Sequence, residues 1–195
     1  MIDPLARVAA RSGHFRMESC YHGDLWLDLD GLFVEPRAIA PAVAALAARL
    51  QSYDVAVVCG PLLGGAFLAQ LLAHAMNADF VFAERVASSP TAGLYGARYR
   101  IPEGVAAHLP GRRVALVDDV MSAGSSLRAT HAALTVGGAV PVVVAAFAVL
   151  GSRGSDFFAA QDLPVETLSH QPLDTWPQDD CPLCRAGVPL EDVAI

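Results

Sequence analysis

Two adjacent carboxylates stand just before a short run of small residues. Asp118 and Asp119 follow the apolar run Val114-Ala-Leu-Val, and Ser122-Ala-Gly-Ser-Ser126 comes next. Backbone N–H groups of a small-residue turn at a helix start, with the hydroxyls of Ser122 and Ser126, form a cradle for a phosphate. The carboxylates would repel phosphate, but they suit the vicinal hydroxyls of a sugar, or a Mg²⁺ that bridges sugar and phosphates. The spacing therefore predicts a sugar phosphate lying across a strand–helix junction.

A simpler interpretation treats this segment as an ordinary turn whose aspartates cap a helix and face water. An Asp-Asp pair alone favours that interpretation. The apolar run before it and the small-residue turn after it favour the binding site. A second glycine-containing turn, Gly60-Pro61-Leu-Leu-Gly64-Gly65, follows another apolar run. Beside the first motif it predicts a phosphate contact, because phosphates need a close backbone approach that side chains would obstruct.

The elements that must position these residues alternate along the chain. Near-continuous Val/Ala-rich runs separated by helical patterns indicate a parallel sheet covered on both faces. We therefore expect an open, doubly wound α/β fold. A helix is expected over 3–13, and a mobile loop over 86–96. The predicted strands cover 14–17, 25–29, 55–59, 80–83, 114–117 and 140–150, and the further helices end at Leu50 or cover 63–75 and 125–135.

Composition excludes several classes of protein. The chain is 54% hydrophobic and 17% charged, and its net charge is −7. An acidic chain has no general electrostatic attraction for nucleic acid, so none is expected as a partner. Two long uncharged stretches, 55–78 and 129–152, are interrupted by glycine and proline, which predicts strand–helix turns and no membrane span. The N-terminus lacks a secretory pattern, and we expect a cytoplasmic protein.

The segment around Asp118 resembles the binding motif for 5-phosphoribosyl 1-diphosphate (PRPP) in type I phosphoribosyltransferases. That motif has four apolar residues, two acids and a loop rich in Ser, Thr and Gly. The resemblance implies that Asp118 and Asp119 hold the ribose hydroxyls. The residues it assigns to the 5-phosphate are Ser122, Ala123, Gly124, Ser125 and Ser126.

Other segments resemble orotate phosphoribosyltransferases in particular. Residues 12–29 are similar to their N-terminal element, and residues 59–65 to their pyrophosphate loop, with Gly60 and Pro61 at PRPP. The segment Phe82-Ala-Glu-Arg85 resembles the strand that carries an arginine to the diphosphate. Residues 181–190 resemble the tail of a bacterial branch typified by Thermus. The resemblance thus covers essentially the whole chain.

These likenesses imply an enzyme that transfers ribose 5-phosphate from PRPP to orotate, releasing pyrophosphate. They imply a homodimer, and Mg²⁺ held mainly by PRPP rather than by protein side chains. They also imply a single domain over 1–195, with a core of about 36–150 and a small hood from about 1–35 and 151–195. The residues placed toward the base are Ser19, Cys20, Tyr21 and His22.

The chain departs from the orotate pattern at the base turn and in the loop. Cys20 and Gly23 stand where the family usually has Gly and Ser, and residues 86–97 lack the expected lysines and His-Gly. The cation that meets the leaving pyrophosphate is then Arg85, Arg98 or Arg100. Of these three, Arg100 is the predicted catalytic residue. A transferase for a purine or another base remains an alternative, as does a PRPP-binding regulator without turnover. No Gly-x-Gly-x-x-Gly follows a strand, which argues against a nicotinamide or flavin domain.

The pair Cys181-Pro-Leu-Cys184 has the spacing of half a zinc site or of a redox pair. A structural zinc would need further ligands from Cys20, Cys59, His170 or a second subunit. We therefore expect two reduced structural thiols and no metal held by protein side chains.

Overall fold

The computed structural model describes residues 5–6, 8–86 and 95–193. Its strands and helices follow one another along the chain with short connections. The strands are β1 (Ala9–Arg16), β2 (His22–Asp28), β3 (Val57–Pro61), β4 (Asp79–Val86), β5 (Arg98–Arg100), β6 (Arg113–Met121), β7 (Val140–Leu150), β8 (Val165–Gln171), β9 (Thr175–Trp176) and β10 (Glu191–Asp192). The helices are α1 (Pro36–Leu50), α2 (Gly64–Met76), α3 (Glu103–Ala106), α4 (Ser125–Val136), α5 (Arg153–Ala159) and α6 (Pro182–Arg185).

The central sheet has the order β5-β4-β3-β6-β7-β8 within the described residues. The strands from β4 to β8 pair in parallel, and β5 is antiparallel to β4 at the edge. From β3 the chain passes through α2 to β4 on one side, and from β6 it passes through α4 to β7 on the other. This arrangement confirms the predicted open, doubly wound α/β fold.

Helices cover both faces of the central sheet. On one face α1 and α2 pack with Val58, Val117 and Phe147. On the other face α4 and α5 pack with Val57, Leu116 and further side chains that alternate with the first set along each strand. Because both faces are buried, the strands are apolar almost throughout. In the part of the chain that the structure describes, no helix has both the length and the apolar composition needed to cross a bilayer.

A second, smaller sheet in the described residues has the order β10-β1-β2-β9. We define the hood as this sheet together with the turn 17–21 and the tail 172–193, which is a smaller set than the predicted hood of about 1–35 and 151–195. Its edge strands β9 and β10 come from the tail, whereas β8, also beyond residue 150, belongs to the central sheet. The helix predicted over 3–13 is wrong where it is described, because residues 9–13 lie in β1. Of the expected mobile loop, residues 87–94 lie outside the described ranges.

Candidate active site

The site lies where the connections of the central sheet diverge. The carboxyl ends of β3 and β6 are neighbours, but their following helices cover opposite faces. In open α/β sheets this divergence leaves a crevice at which ligands bind. Asp118 and Asp119 occupy the end of β6, and the Gly60–Gly65 turn follows β3. The structure therefore brings the two predicted motifs to the same crevice.

Both carboxylates are buried, with exposed fractions of 8% for Asp118 and 9% for Asp119. The Ser126 hydroxyl donates to Asp118 Oδ2 at 2.7 Å, and the Asp119 backbone N–H donates to Asp118 Oδ1 at 3.0 Å. The Val120 backbone N–H donates to Asp119 Oδ1 at 2.7 Å. These bonds fix the orientation of both carboxyl groups, and they turn the Ser126 hydroxyl toward Asp118 rather than toward the cradle.

Burial raises the pKa of both aspartates, well above its ordinary value for Asp118. The adjacent charge of Asp119 raises the pKa of Asp118 further, while the Ser126 hydrogen bond opposes the shift. Two carboxyl groups so close together resist ionising together unless a cation or hydroxyl donors compensate their charge. The pair is thus suited to groups that supply positive charge or hydrogen bonds.

The predicted phosphate cradle forms the connection between β6 and α4. Gly124 precedes α4 with φ of 75°, a left-handed conformation that glycine adopts without strain. The 12-residue α4 then presents its first backbone N–H groups at this end. The Ser125 hydroxyl is buried and has no hydrogen-bond partner among residues 5–6, 8–86 and 95–193. An anionic ligand at this helix start would meet the Ser125 hydroxyl as a donor without a partner, whereas the Ala123 backbone N–H already donates to Ser122 Oγ at 2.6 Å.

A cavity of about 150 Å³ lies between the cradle and the hood. The hood turn contributes Met17, Glu18 and Ser19 to its wall, and the opposite wall is formed by Val120 and residues 122–126. Ser19, one of the predicted base-side residues, therefore faces the predicted phosphate loop. The hood turn therefore covers the side of the crevice that the cradle forms.

The glycines of the second turn touch the carboxylates directly. A Cβ atom on Gly64 would lie 2.0 Å from Asp119 Oδ2, and one on Gly65 would lie 2.7 Å from Asp118 Oδ1. A Cβ atom on Gly60 would lie 2.0 Å from the Gly65 carbonyl oxygen. Such distances exclude any side chain without displacement. The turn thus requires glycine because it packs against the acidic pair.

Arg85 belongs to a partly buried polar group that also contains Glu18 and Tyr99. Arg85 Nε is 3.7 Å from Glu18 Oε1, and the Tyr99 hydroxyl donates to the same oxygen at 3.2 Å. Burial raises the pKa of Glu18, and it raises that of Tyr99 together with the charges of Glu18 and Asp118. Tyr99 is therefore close enough to sense the acidic pair. Neither Glu18 nor Tyr99 was singled out from the sequence. The available signal was the alternation of side chains along a strand, which places Tyr99 on the opposite face from Arg98 and Arg100.

Arg98 and Arg100 lie on the other face of the β4–β5 hairpin. Tyr99 pairs with Arg85 in the ladder, whereas Arg100 pairs with Glu84, with which it also forms an ion pair. Both arginines are exposed and line a surface groove beside α4. Of the three predicted cations, the structure therefore places Arg85 on the same strand face as Tyr99, and the other two on the opposite face.

The predicted base turn divides between two surroundings. Ser19 is buried, and its hydroxyl accepts a hydrogen bond from the Tyr21 backbone N–H at 3.3 Å, while Cys20 between them is left-handed with φ of 63°. The Tyr21 ring packs against the Tyr95 ring, whereas His22 is 99% buried and contacts the tail of the hood. Ser19 thus lies at the crevice, and the His22 side chain does not.

Aromatic rings and two arginines that sequence reasoning missed lie beside Tyr21. The Tyr21 and Tyr95 ring centroids are 5.7 Å apart, and the Tyr95 backbone N–H donates to the Ser19 carbonyl. The Arg128 guanidinium lies 4.0 Å from the Tyr95 ring centroid, and that of Arg153 lies 4.5 Å from the Tyr21 centroid. Positive charge thus accompanies the base turn, although these residues are far apart in sequence.

Comparison with known proteins gives consistent matches. The family model described as "Phosphoribosyl transferase domain" matches residues 34–180. The orotate phosphoribosyltransferase of Thermus thermophilus is 33% identical over 95% of this chain and 94% of its own length.

Two solved structures share the fold. The orotate phosphoribosyltransferase of Aeropyrum pernix aligns with a TM-score of 0.65 at 18% identity, over 83% of this chain and 88% of its own. The adenine phosphoribosyltransferase of Rhodothermus marinus aligns with a TM-score of 0.64 at 24% identity, over 84% of this chain and 93% of its own. The fold alone therefore does not discriminate between the two bases.

Proposed function

Because this chain belongs to the phosphoribosyl transferase family, we propose that it transfers the ribose 5-phosphate group of PRPP to orotate. The products are orotidine 5-phosphate and pyrophosphate. The observation that carries the proposal is the buried pair Asp118–Asp119 beside the Ser122–Ser126 cradle, at the divergence of β3 and β6. The orotate relative that matches 95% of the chain supports the choice of base.

In this reaction a ring N–H nitrogen of the base bonds to C1 of the ribose as the bond from C1 to pyrophosphate breaks, and the proton of that nitrogen is released to solvent. Positive charge develops on the sugar, so the protein contributes mainly by positioning and electrostatics. In our proposal the N–H groups of residues 123–126 hold the 5-phosphate, and Asp118 and Asp119 accept hydrogen bonds from the ribose hydroxyls. Arg85, beside Glu18 and Tyr99, is the cation best placed to meet the leaving pyrophosphate.

Mg²⁺ held mainly by PRPP would add positive charge at the leaving pyrophosphate. The donor set at the crevice fits such an ion, because Asp118 and Asp119 offer the carboxylate oxygens that a hard cation prefers. A cation at this position would lower the raised pKa values of both carboxyl groups, because it stabilises their ionised form.

The arginines beside the base turn favour an acidic base. Burial lowers the pKa of the Arg128 guanidinium, and its Nε has no hydrogen-bond partner in the described part of the chain. An anion beside this guanidinium would offset part of the free energy that its desolvation costs. Orotate carries a carboxylate and adenine does not. We therefore propose that the orotate carboxylate lies toward Arg128 and Arg153.

We expect the purified chain, with PRPP and Mg²⁺, to consume orotate and to form orotidine 5-phosphate and pyrophosphate in equal amounts. Adenine, hypoxanthine, guanine and xanthine, offered separately, should give no nucleotide. Mass spectrometry of the nucleotide and an enzymatic pyrophosphate assay measure both products. Turnover of a purine without turnover of orotate would overturn the choice of base while leaving the transferase. PRPP binding without turnover of any base would favour the regulator.

Replacing Arg128 with glutamine should raise the KM for orotate about 10- to 100-fold and change the KM for PRPP much less. The reason is the loss of a charge-assisted hydrogen bond, which contributes roughly 1.5–3 kcal/mol. Steady-state kinetics with each substrate varied in turn measures the two KM values separately. Arg112→Gln is the matched control, because Arg112 forms a part-exposed ion pair with Asp79 at the opposite end of β6. Equal orotate KM values in both variants would contradict the placement of the base.

A further inference from the structure

The tail of the hood crosses from one edge of its sheet to the other. Strand β9 pairs with β2, β10 pairs with β1, and the segment between them contains α6. This crossing brings Cys181 and Cys184 over the β1–β2 hairpin. A bulge in β1 between Ser12 and Phe15 re-aims the strand at this point. His14 and His22 then lie on the hairpin face that the crossing covers.

The four side chains direct one donor atom each toward a common point. His14 Nε2 lies 3.0 Å from His22 Nδ1, 3.4 Å from Cys181 Sγ and 3.7 Å from Cys184 Sγ. Cys184 Sγ lies 3.3 Å from His22 Nδ1, and all four atoms are within 4.8 Å of one another. His14, His22 and Cys181 are at least 97% buried, and Cys184 lies at the rim. We call these residues the His–Cys cluster.

These separations match the edges of a metal-centred tetrahedron. Zinc–nitrogen bonds of about 2.05 Å and zinc–sulfur bonds of about 2.3 Å give edges of roughly 3.3 Å between nitrogens and 3.6 Å between nitrogen and sulfur. The observed distances are 3.0 Å for the nitrogen pair and 3.3–3.7 Å for three of the four nitrogen–sulfur pairs. The fourth nitrogen–sulfur pair and the sulfur pair are within 4.8 Å, so the four donor atoms surround a space of the size that zinc occupies.

The second nitrogen of His14 supports the same role. His14 Nδ1 lies 2.9 Å from the Val188 carbonyl oxygen, which can only accept a hydrogen bond. The proton of a neutral ring is then on Nδ1, and the lone pair of Nε2 points into the cluster. Histidines that bind metals are held by such a bond to a carbonyl or a carboxylate.

We propose that His14, His22, Cys181 and Cys184 bind one structural zinc ion. Two thiolates and two imidazoles in tetrahedral spacing suit zinc, and with four protein ligands the site has no open position for substrate. This assignment revises the expectation of two structural thiols, since the missing ligands are His14 and His22 rather than Cys20, Cys59 or His170. His22 is accordingly a metal ligand and not a base-side residue.

The position of the cluster indicates what the ion would stabilise. It would join the tail, which carries both cysteines, to the hairpin, which carries both histidines. The hairpin continues into residues 17–19, which line the cavity beside the cradle. The ion would therefore hold the hood in place from a point outside the cavity.

We expect the full chain, purified under reducing conditions without added metal, to contain about one zinc ion, measured by plasma mass spectrometry. Exchange of zinc for Co²⁺ should produce the visible absorption of tetrahedral thiolate coordination. Chelation should lower the midpoint of thermal unfolding, and Zn²⁺ but not Mg²⁺ should restore it. None of these measurements depends on transferase activity, so they are distinct from tests of the proposed function.

Cys184→Ser is the most conservative variant, since Cys184 lies at the rim, and after dialysis against a chelator it should retain no zinc. Cys59→Ala is the matched control, because Cys59 lies in the central sheet, and it should keep its zinc. A folded wild-type chain with reduced thiols that neither contains nor takes up zinc or cobalt would overturn the proposal. So would a Cys181–Cys184 disulfide in protein prepared without reductant, or equal zinc in both variants.

Discussion

Asp118→Asn and Asp119→Asn should each lower kcat/KM for phosphoribosyl transfer about 10- to 100-fold. Asparagine keeps the shape of the side chain but removes a charge-assisted hydrogen bond to a ribose hydroxyl, which contributes roughly 1.5–3 kcal/mol. Initial rates with PRPP varied at saturating orotate measure the loss. Full activity in both variants would mean that the sugar does not lie at the acidic pair.

The same variants should not lose stability at neutral pH. Burial raises the pKa of both aspartates in the folded chain, so the folded state binds more protons than the unfolded state. Their contribution to stability is therefore fully present below the unfolded pKa of about 4 and is lost as the pH rises through the folded pKa. Asparagine does not ionise and avoids that loss. At pH 7 the thermal midpoint of each variant should equal or exceed that of the wild type, which separates lost activity from lost folding.

Gly64→Ala should lower kcat/KM about 100-fold or more. The added Cβ atom would lie 2.0 Å from Asp119 Oδ2, so the carboxylate or the turn must move. A displacement of about 1 Å at a reacting group costs on the order of 100-fold in rate. Kinetics and thermal unfolding are measured on the same preparation. If the variant is folded, the loss of activity is due to the displaced carboxylate or turn and not to unfolding.

Gly104→Ala is the matched control for that substitution. Gly104 lies in α3, and a Cβ atom built on it meets nothing within 4 Å. Its kcat/KM should stay close to the wild-type value. Equal rates in the two alanine variants would show that the Gly60–Gly65 turn does not hold the acidic pair.

The central sheet and its principal motif were predictable because their signals are local. The apolar run before Asp118 forms a strand that is buried on both faces of the sheet. The small residues after it form a turn that leads into a helix. The helix expected over 3–13 was wrong where the chain is described, because an Asp-Pro start and a stopping Gly13 favour a helix only locally. In the fold, β1 pairs with β2 on one side and β10 on the other, and tertiary pairing overrides helix propensity.

The contacts that sequence reasoning missed join distant parts of the chain. Tyr99 meets Glu18 across 81 positions, and Cys181 meets His14 across 167. The CxxC spacing is that of half a zinc site, but only the crossing of the tail over the hairpin brings His14 and His22 beside Cys181 and Cys184. Likewise, Arg128 follows the predicted phosphate cradle by two residues, yet its place beside Tyr95, which precedes β5, depends on tertiary packing.

The most direct test of the central claim is a crystal structure of the chain with PRPP and Mg²⁺ bound. We expect the 5-phosphate on the backbone N–H groups of residues 123–126, the ribose hydroxyls at Asp118 and Asp119, and the diphosphate beside the Gly60–Gly65 turn. PRPP bound away from β6, or with its ribose hydroxyls out of reach of both aspartates, would contradict it.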